Sequence, residues 1–123
     1  LLKNLDENKI ITSRLTESGK IPSTFPYTLV RDFGRIPETF QEEDFQLWAE
    51  HWKVGTMMPK GTFMPLAIYK KTFLKYGGFP EGNVNGIGGD QYFFYKILKP
   101  NGVMHYTAMD SMVYHIQEGE VDE

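Results

Sequence analysis

The chain has 123 residues, 41% hydrophobic and 15% aromatic, with a net charge of −3 and no cysteine. That length suits one domain with one core, and the composition is that of a folded protein rather than a disordered one. The acidic balance speaks against a nucleic-acid partner, the missing cysteines exclude disulfides and thiolate metal sites while permitting a reducing compartment, and no apolar run approaches the roughly 20 residues of a membrane helix.

In chain order, Leu1–Leu5 reads as the end of a helix, and a start at Leu-Leu-Lys gives the reading of a fragment of a longer protein. Lys9–Leu15 (KIITSRL) is β-branched and predicts a strand. Ser18–Tyr27 holds Gly19, Pro22 and Pro26 and predicts a loop. Glu38–Lys53 predicts an amphipathic helix, with Phe45, Trp48 and Trp52 at i, i+3, i+7 and acids near its start, where the macrodipole favours them. Thr62–Tyr69 is nearly all apolar and predicts a strand, with Pro65 forcing an edge, bulge or bend. Lys70–Tyr76 predicts a short helix with Phe73 and Leu74 inward, stopped by Gly77. Gly78–Gly89 predicts a loop. Asp90–Lys99 predicts a helix burying Phe93, Phe94, Ile97 and Leu98; Val103–Tyr106 and Ser111–Ile116 predict two short strands. Alternating strands and helices with two close strands at the end predict one α/β domain over residues 1–123, a mixed sheet with flanking helices.

Chemistry concentrates in Gly77–Ile97 (GGFPEGNVNGIGGDQYFFYKI), where glycines precede a single aspartate and an aromatic run. Asp90 enters a helix from a loop, and two readings stand side by side. It is a helix N-cap, accepting amide protons of the first turn and worth about 1 kcal/mol. Alternatively it is a general base, since Gly86, Gly88 and Gly89 carry no side chain and let a ligand approach the backbone, while a carboxylate accepts a proton from a hydroxyl within hydrogen-bond reach. The four aromatic residues Tyr92, Phe93, Phe94 and Tyr95 cannot all face inward from one helix, so one or two should line a cleft or an interface.

His115 follows Met112-Val113-Tyr114 in an apolar strand; a lone strand histidine is more often an ordinary hydrogen-bonded side chain than a metal ligand, and one imidazole does not hold Mg²⁺ or Mn²⁺ without oxygen donors. Trp48 and Trp52 share a helical face, read as core packing or as a platform for the C–H face of a sugar. Met57, Met58 and Met64 read as core filler.

The order of segments FMPLAIYKKTFLKYGGFPEG, GIGGDQYFFYKILKPNG and MVYHI resembles the C-terminal half of family 2 GT-A glycosyltransferases. The stretch GFPEGNVNGIGGDQ is similar to the Gly-Phe-Pro…Gly-Gly-Glu-Asp segment of β-1,4-galactosyltransferases. The resemblance covers Phe63 to His115, about half the chain. It implies a partial GT-A fold without its nucleotide-binding half, and inverting transfer of a sugar from a nucleotide-sugar donor to the hydroxyl of a glycan acceptor. In that frame Asp90 is the base, and the Gly-Gly-Phe turn with Gly78 walls the donor-sugar site, with Gly88, Gly89 and Gln91 beside the base as substrate contacts; Trp48 lies outside the resemblance and stands as a sugar platform on its aromatic face alone. His115 is the local ligand of a divalent cation, Mn²⁺ or Mg²⁺. The implied setting is bacterial polysaccharide or cell-surface glycan assembly, cytoplasmic and peripheral to a membrane that the chain itself does not span. The implied partner is the missing N-terminal half of the same protein.

Two departures qualify these expectations. Gly89 stands where the family has Glu, so one carboxylate is missing; an alternative alignment puts Asp90 on the Glu and Gln91 on the Asp. No Asp-x-Asp occurs, and Glu42-Glu43-Asp44 reads as a solvated helix face. A second function class follows from the missing acid: a non-catalytic module that binds carbohydrate or protein. Gly88-Gly89-Asp90 also resembles the GGDEF signature of diguanylate cyclases, but over three residues and without that family's upstream segment.

Overall fold

A computed structural model of the chain describes residues 5–19 and 25–116. Most of Leu1–Leu5, part of the Ser18–Tyr27 loop and the acidic tail lie outside them. The molecule is organised around β1 (Lys9–Glu17), which pairs along one edge with β5 (Met104–His115) and along the other with two short strands. β5 runs parallel to β1, and so does β2 (Leu29–Val30), which pairs with the last residues of β1. β4 (Leu66–Ala67) is antiparallel to β1, and β3 (Met57–Pro59) is antiparallel to β5. The sheet is therefore mixed and the class α/β, as the sequence implies.

β1 is buried on both faces, with Ile10, Ile11 and Leu15 as its apolar members and Thr12, Ser13 and Thr16 as buried polar ones. Ile10 packs into a cluster with Phe93, Phe94, Leu98 and Val103, and Ile11 packs with Ala67 and Ala108. Each large apolar side chain buried here stabilises the fold by about 1.5–3 kcal/mol. Two of the strand's polar side chains find partners on β5: Thr12 Oγ1 lies 2.9 Å from His105 Nε2, and Ser13 Oγ lies 2.7 Å from Ser111 Oγ, while the buried Thr16 hydroxyl has no hydrogen-bond partner among the described residues.

The two strands expected over Val103–Tyr106 and Ser111–Ile116 are one. β5 continues through a bulge, its register with β1 passing from Ser13↔Ala108 directly to Arg14↔Met112. The bulged backbone is held from outside the pair, Met109 N–H donating to Thr56 O (3.1 Å) and Val54 N–H to Met109 O (3.2 Å). Those two bonds remove the cost of unpaired backbone that would otherwise break the strand.

α1 (Glu42–Trp52) begins later than Glu38, because Pro37–Thr39 form a separate 3₁₀ turn. Its buried side is Phe45 and Ala49, which join Phe33 in a cluster with Phe40, Trp48, Met112 and Tyr114; Trp52 is 43% exposed. The strand expected at Thr62–Tyr69 contracts to β4, since Pro65 has no N–H to give a ladder. α2 (Lys70–Lys75) does not bury Leu74, which is 64% exposed. Thr72 takes the inward position instead, and its hydroxyl donates to Glu7 O (2.9 Å). Met64 is also exposed rather than core.

α3 (Gly89–Tyr92) continues as a π-helical segment Phe93–Leu98 and a 3₁₀ turn Lys99–Asn101, ended by Gly102 in the left-handed conformation. Phe93, Phe94 and Leu98 are buried and Ile97 packs beside them, as the spacing predicts.

Candidate functional site

The glycine-rich segment is an ordered anchor for α3. Gly78 closes α2, its N–H donating to Phe73 O (2.9 Å) at φ +69, and a Cβ there would lie 2.8 Å from the Phe73 ring. Phe79, still 36% exposed, lays its ring edge-on to Phe73 (5.4 Å) and Phe93 (5.2 Å). The next residues form a two-residue hairpin, Val84 and Ile87 exchanging both backbone hydrogen bonds at 2.9 and 3.0 Å. Asn85 and Gly86 both have positive φ, as such a turn demands. Asn-Gly between Val84 and Ile87 carries this signal in the sequence, where the segment reads simply as loop.

Gly89 is small for a steric reason. A Cβ on it would lie 2.8 Å from Pro80 O and 3.3 Å from Gly82 O, both fixed backbone atoms. No glutamate fits at this position without moving the loop, so the single acid at the helix entrance is built into the backbone.

Asp90 is half-buried in the first turn of α3. It is not the N-cap: Gly88 occupies that place without a side-chain cap, and Asp90 Oδ1 accepts the Gln91 N–H at 2.7 Å. Among the described residues Asp90 makes no ion pair. It lines an open cleft of about 740 Å³ whose walls include Phe25, Phe63, Met64, Tyr114 and His115. Phe63 connects this wall to α3, packing edge-on against Phe94 (5.2 Å) and Phe25 (5.3 Å). Tyr114 is fixed by its hydroxyl, which accepts the Phe33 N–H (3.0 Å) and donates to Gly34 O. Burial pushes the Tyr114 phenol above its ordinary range, so it stays a neutral donor.

His115 reaches the same cleft from the end of β5. Its register partner in β1 is Glu17, and its Nδ1 lies 3.1 Å from both carboxylate oxygens of that residue. The Glu17 side chain is 5% exposed and that of His115 37%. Glu17 is the site residue that the sequence does not reveal, because its partner is 98 residues away.

The structure thus brings Asp90 and His115 together. Gly88, Gly89 and Gln91 adjoin Asp90, while Trp48 and Gly78 stand away from the cleft lining. Trp48 packs between Phe33 (5.2 Å) and Trp52 (6.0 Å), outside the cleft lining. Gly78 lies under the Phe73 ring, Gly88 and Gly89 back onto Asp90 and Pro80, and Gln91 is exposed with its N–H held by Asp90. As for a cation, no group of three or more His, Asp or Glu that could hold a metal occurs among the described residues. Glu17 and His115 are two donors already bonded to one another, so alone they do not fit a divalent ion that wants six or more oxygen-rich ligands.

Fold and site together define a mixed α/β domain with an aromatic cleft and one carboxylate at its rim. Compared with protein-family models, curated proteins and solved structures, the chain shows no match.

Proposed function

We propose that the chain is the acceptor-side portion of an inverting GT-A glycosyltransferase, with Asp90 as the general base. The observation that supports this reading is the convergence of Asp90 with the rings of Phe63 and Tyr114 in one cleft, at the end of the sheet where the parallel strands β1 and β5 finish. Crevices outside the carboxyl ends of parallel strands are where α/β sheets bind ligands. Aromatic rings supply apolar faces for the C–H side of a sugar, and a carboxylate beside them accepts the proton of its hydroxyl.

In this reading the acceptor hydroxyl donates to Asp90 and its oxygen attacks the anomeric carbon of the donor sugar directly. The C–O bond to the nucleoside diphosphate breaks as the new bond forms, and the configuration inverts. The described residues do not by themselves make a divalent-cation site. A cation, Mn²⁺ or Mg²⁺, would rest on diphosphate oxygens and on residues outside the described ones, with His115 as the local candidate. The nucleotide-binding half would belong to chain preceding Leu1. Among the described residues no helix is long and apolar enough to cross a membrane, and the proposed setting is the cytoplasmic face of one.

A second reading, carbohydrate binding without transfer, is favoured by the backbone around Gly89, which leaves a lone acid at the rim. Sugar transfer by the full-length protein separates the two. With catalysis, Asp90→Asn lowers the transfer rate by about 10²–10⁴-fold and leaves acceptor binding in place. Unchanged transfer removes Asp90 from the base role, and acceptor binding with no transfer in either form favours the binding module.

A further inference from the structure

The opposite end of the same strand pair holds a second cavity, about 250 Å³ in volume, which the glycosyl-transfer reading does not use. It opens where β1 and β5 begin, at the Ile10↔His105 register, seven residues and thus roughly 20 Å along the strand from Glu17 and His115. Its walls are apolar: Ile10, Phe94 and Val103 are buried beneath it, and Tyr95 and Met104 stand at its rim, 39% and 52% exposed. Tyr95 is the outward member of the aromatic run.

The polar groups of this cavity are cationic or neutral. Lys60 and Lys99 line it, no acidic residue does, and neither lysine is in an ion pair among the described residues. His105 forms part of the floor, its Nε2 engaged by Thr12 Oγ1 at 2.9 Å. Burial lowers the pKa of its imidazole to about 4, so at neutral pH it adds no charge.

The Lys60 backbone is pinned. It sits at φ +70, unusual for a lysine, with its N–H on His105 O (2.8 Å) and its carbonyl accepting Thr107 Oγ1 (2.6 Å). Gly61 follows with no room for a side chain, since a Cβ would collide with Thr107 Oγ1. The main chain that carries this cation is therefore held in a conformation it would not choose freely.

We propose that this cavity binds a small amphiphilic anion, an aromatic body with one carboxylate head. The size matches a single substituted ring, since an apolar cavity of roughly 150 Å³ already accepts benzene. The ring packs against Phe94 and Tyr95, and the head lies between Lys60 and Lys99, in the pattern of small-molecule sites that combine apolar walls with few polar groups.

The test is an amide NMR titration of the intact chain with 3-phenylpropionate, its neutral amide and acetate as separate probes. The expected result is saturable shifts at Tyr95, Met104 and His105 with 3-phenylpropionate, and affinity about tenfold weaker for the amide and for acetate. Lys60→Met and Lys99→Met each weaken the carboxylate and leave the amide unchanged. Met104→Trp, a change at an exposed rim position, blocks the cavity while the remaining spectrum stays that of the folded chain. Equal affinity for acid and amide, shifts centred on Asp90 instead, full binding by Met104→Trp, or no saturation below about 10 mM each overturns the proposal. None of these outcomes decides whether Asp90 supports sugar transfer.

Discussion

Glu17 and His115 are register partners at the ends of two parallel strands, and both Glu17 carboxylate oxygens lie 3.1 Å from His115 Nδ1. The pair ties His115, which lines the Asp90 cleft, to the last residue of β1. A nearly buried carboxylate keeps its place because a partner replaces the water it gives up. Glu17→Ala therefore destabilises the chain by about 1–3 kcal/mol. His115→Ala costs a similar amount, and the double variant falls short of the sum, since the two share one interaction. Urea unfolding of the four proteins measures this; strict additivity would mean the contact does no stabilising work.

Gly89→Ala lowers stability by about 1–3 kcal/mol, because the Cβ meets the Pro80 carbonyl and overpacking moves backbone. Gly89→Glu, which would place a second acid beside Asp90, loses at least as much and gains no transfer activity. Thermal unfolding of both variants checks this, and a stable Gly89→Glu protein would show the loop to be slack.

The sequence made α3 and its buried face legible, because Phe93, Phe94, Ile97 and Leu98 follow helical spacing strongly enough to survive a π-helical distortion. β1 was legible from its β-branched run. The continuity of β5 was not. Its bulge depends on Met109 accepting the Val54 N–H and donating to Thr56 O, which no local pattern around Asp110 announces. Asp90 could be placed at a helix entrance from sequence, but its role as a residue of the first turn rather than the cap depends on Gly88. Glu17 was invisible, since long-range pairing alone defines its function. Several glycines that read as openings for a ligand instead fit turns and close backbone contacts.

Gly78→Ala tests one of these turns. The new methyl group would meet the Phe73 ring at φ +69, a conformation L-residues adopt at a cost of about 1–2 kcal/mol. The loss should appear in the urea midpoint and should exceed that of Gly77→Ala, whose Cβ would meet nothing within 4 Å. Equal losses would place the whole effect in backbone conformation.

His105 predicts a pH dependence. Burial holds its pKa down to about 4, below the ordinary 6.5 that it regains on unfolding. Between those values the unfolded chain binds a proton that the folded chain refuses, so stability falls as pH drops from about 6.5 to about 4 and levels off below. The full effect is on the order of 3 kcal/mol. His105→Gln should flatten that stretch of the unfolding profile, and a variant with the same slope would assign it to other groups.

The central claim is that a sugar hydroxyl reaches Asp90 in the cleft beside Phe63 and Tyr114. A crystal structure of the full-length protein with its acceptor measures this directly. The account predicts an acceptor hydroxyl about 2.6–3.2 Å from an Asp90 oxygen, with a sugar face over one of those rings. An acceptor bound elsewhere, with the Asp90 carboxylate facing solvent, would contradict it.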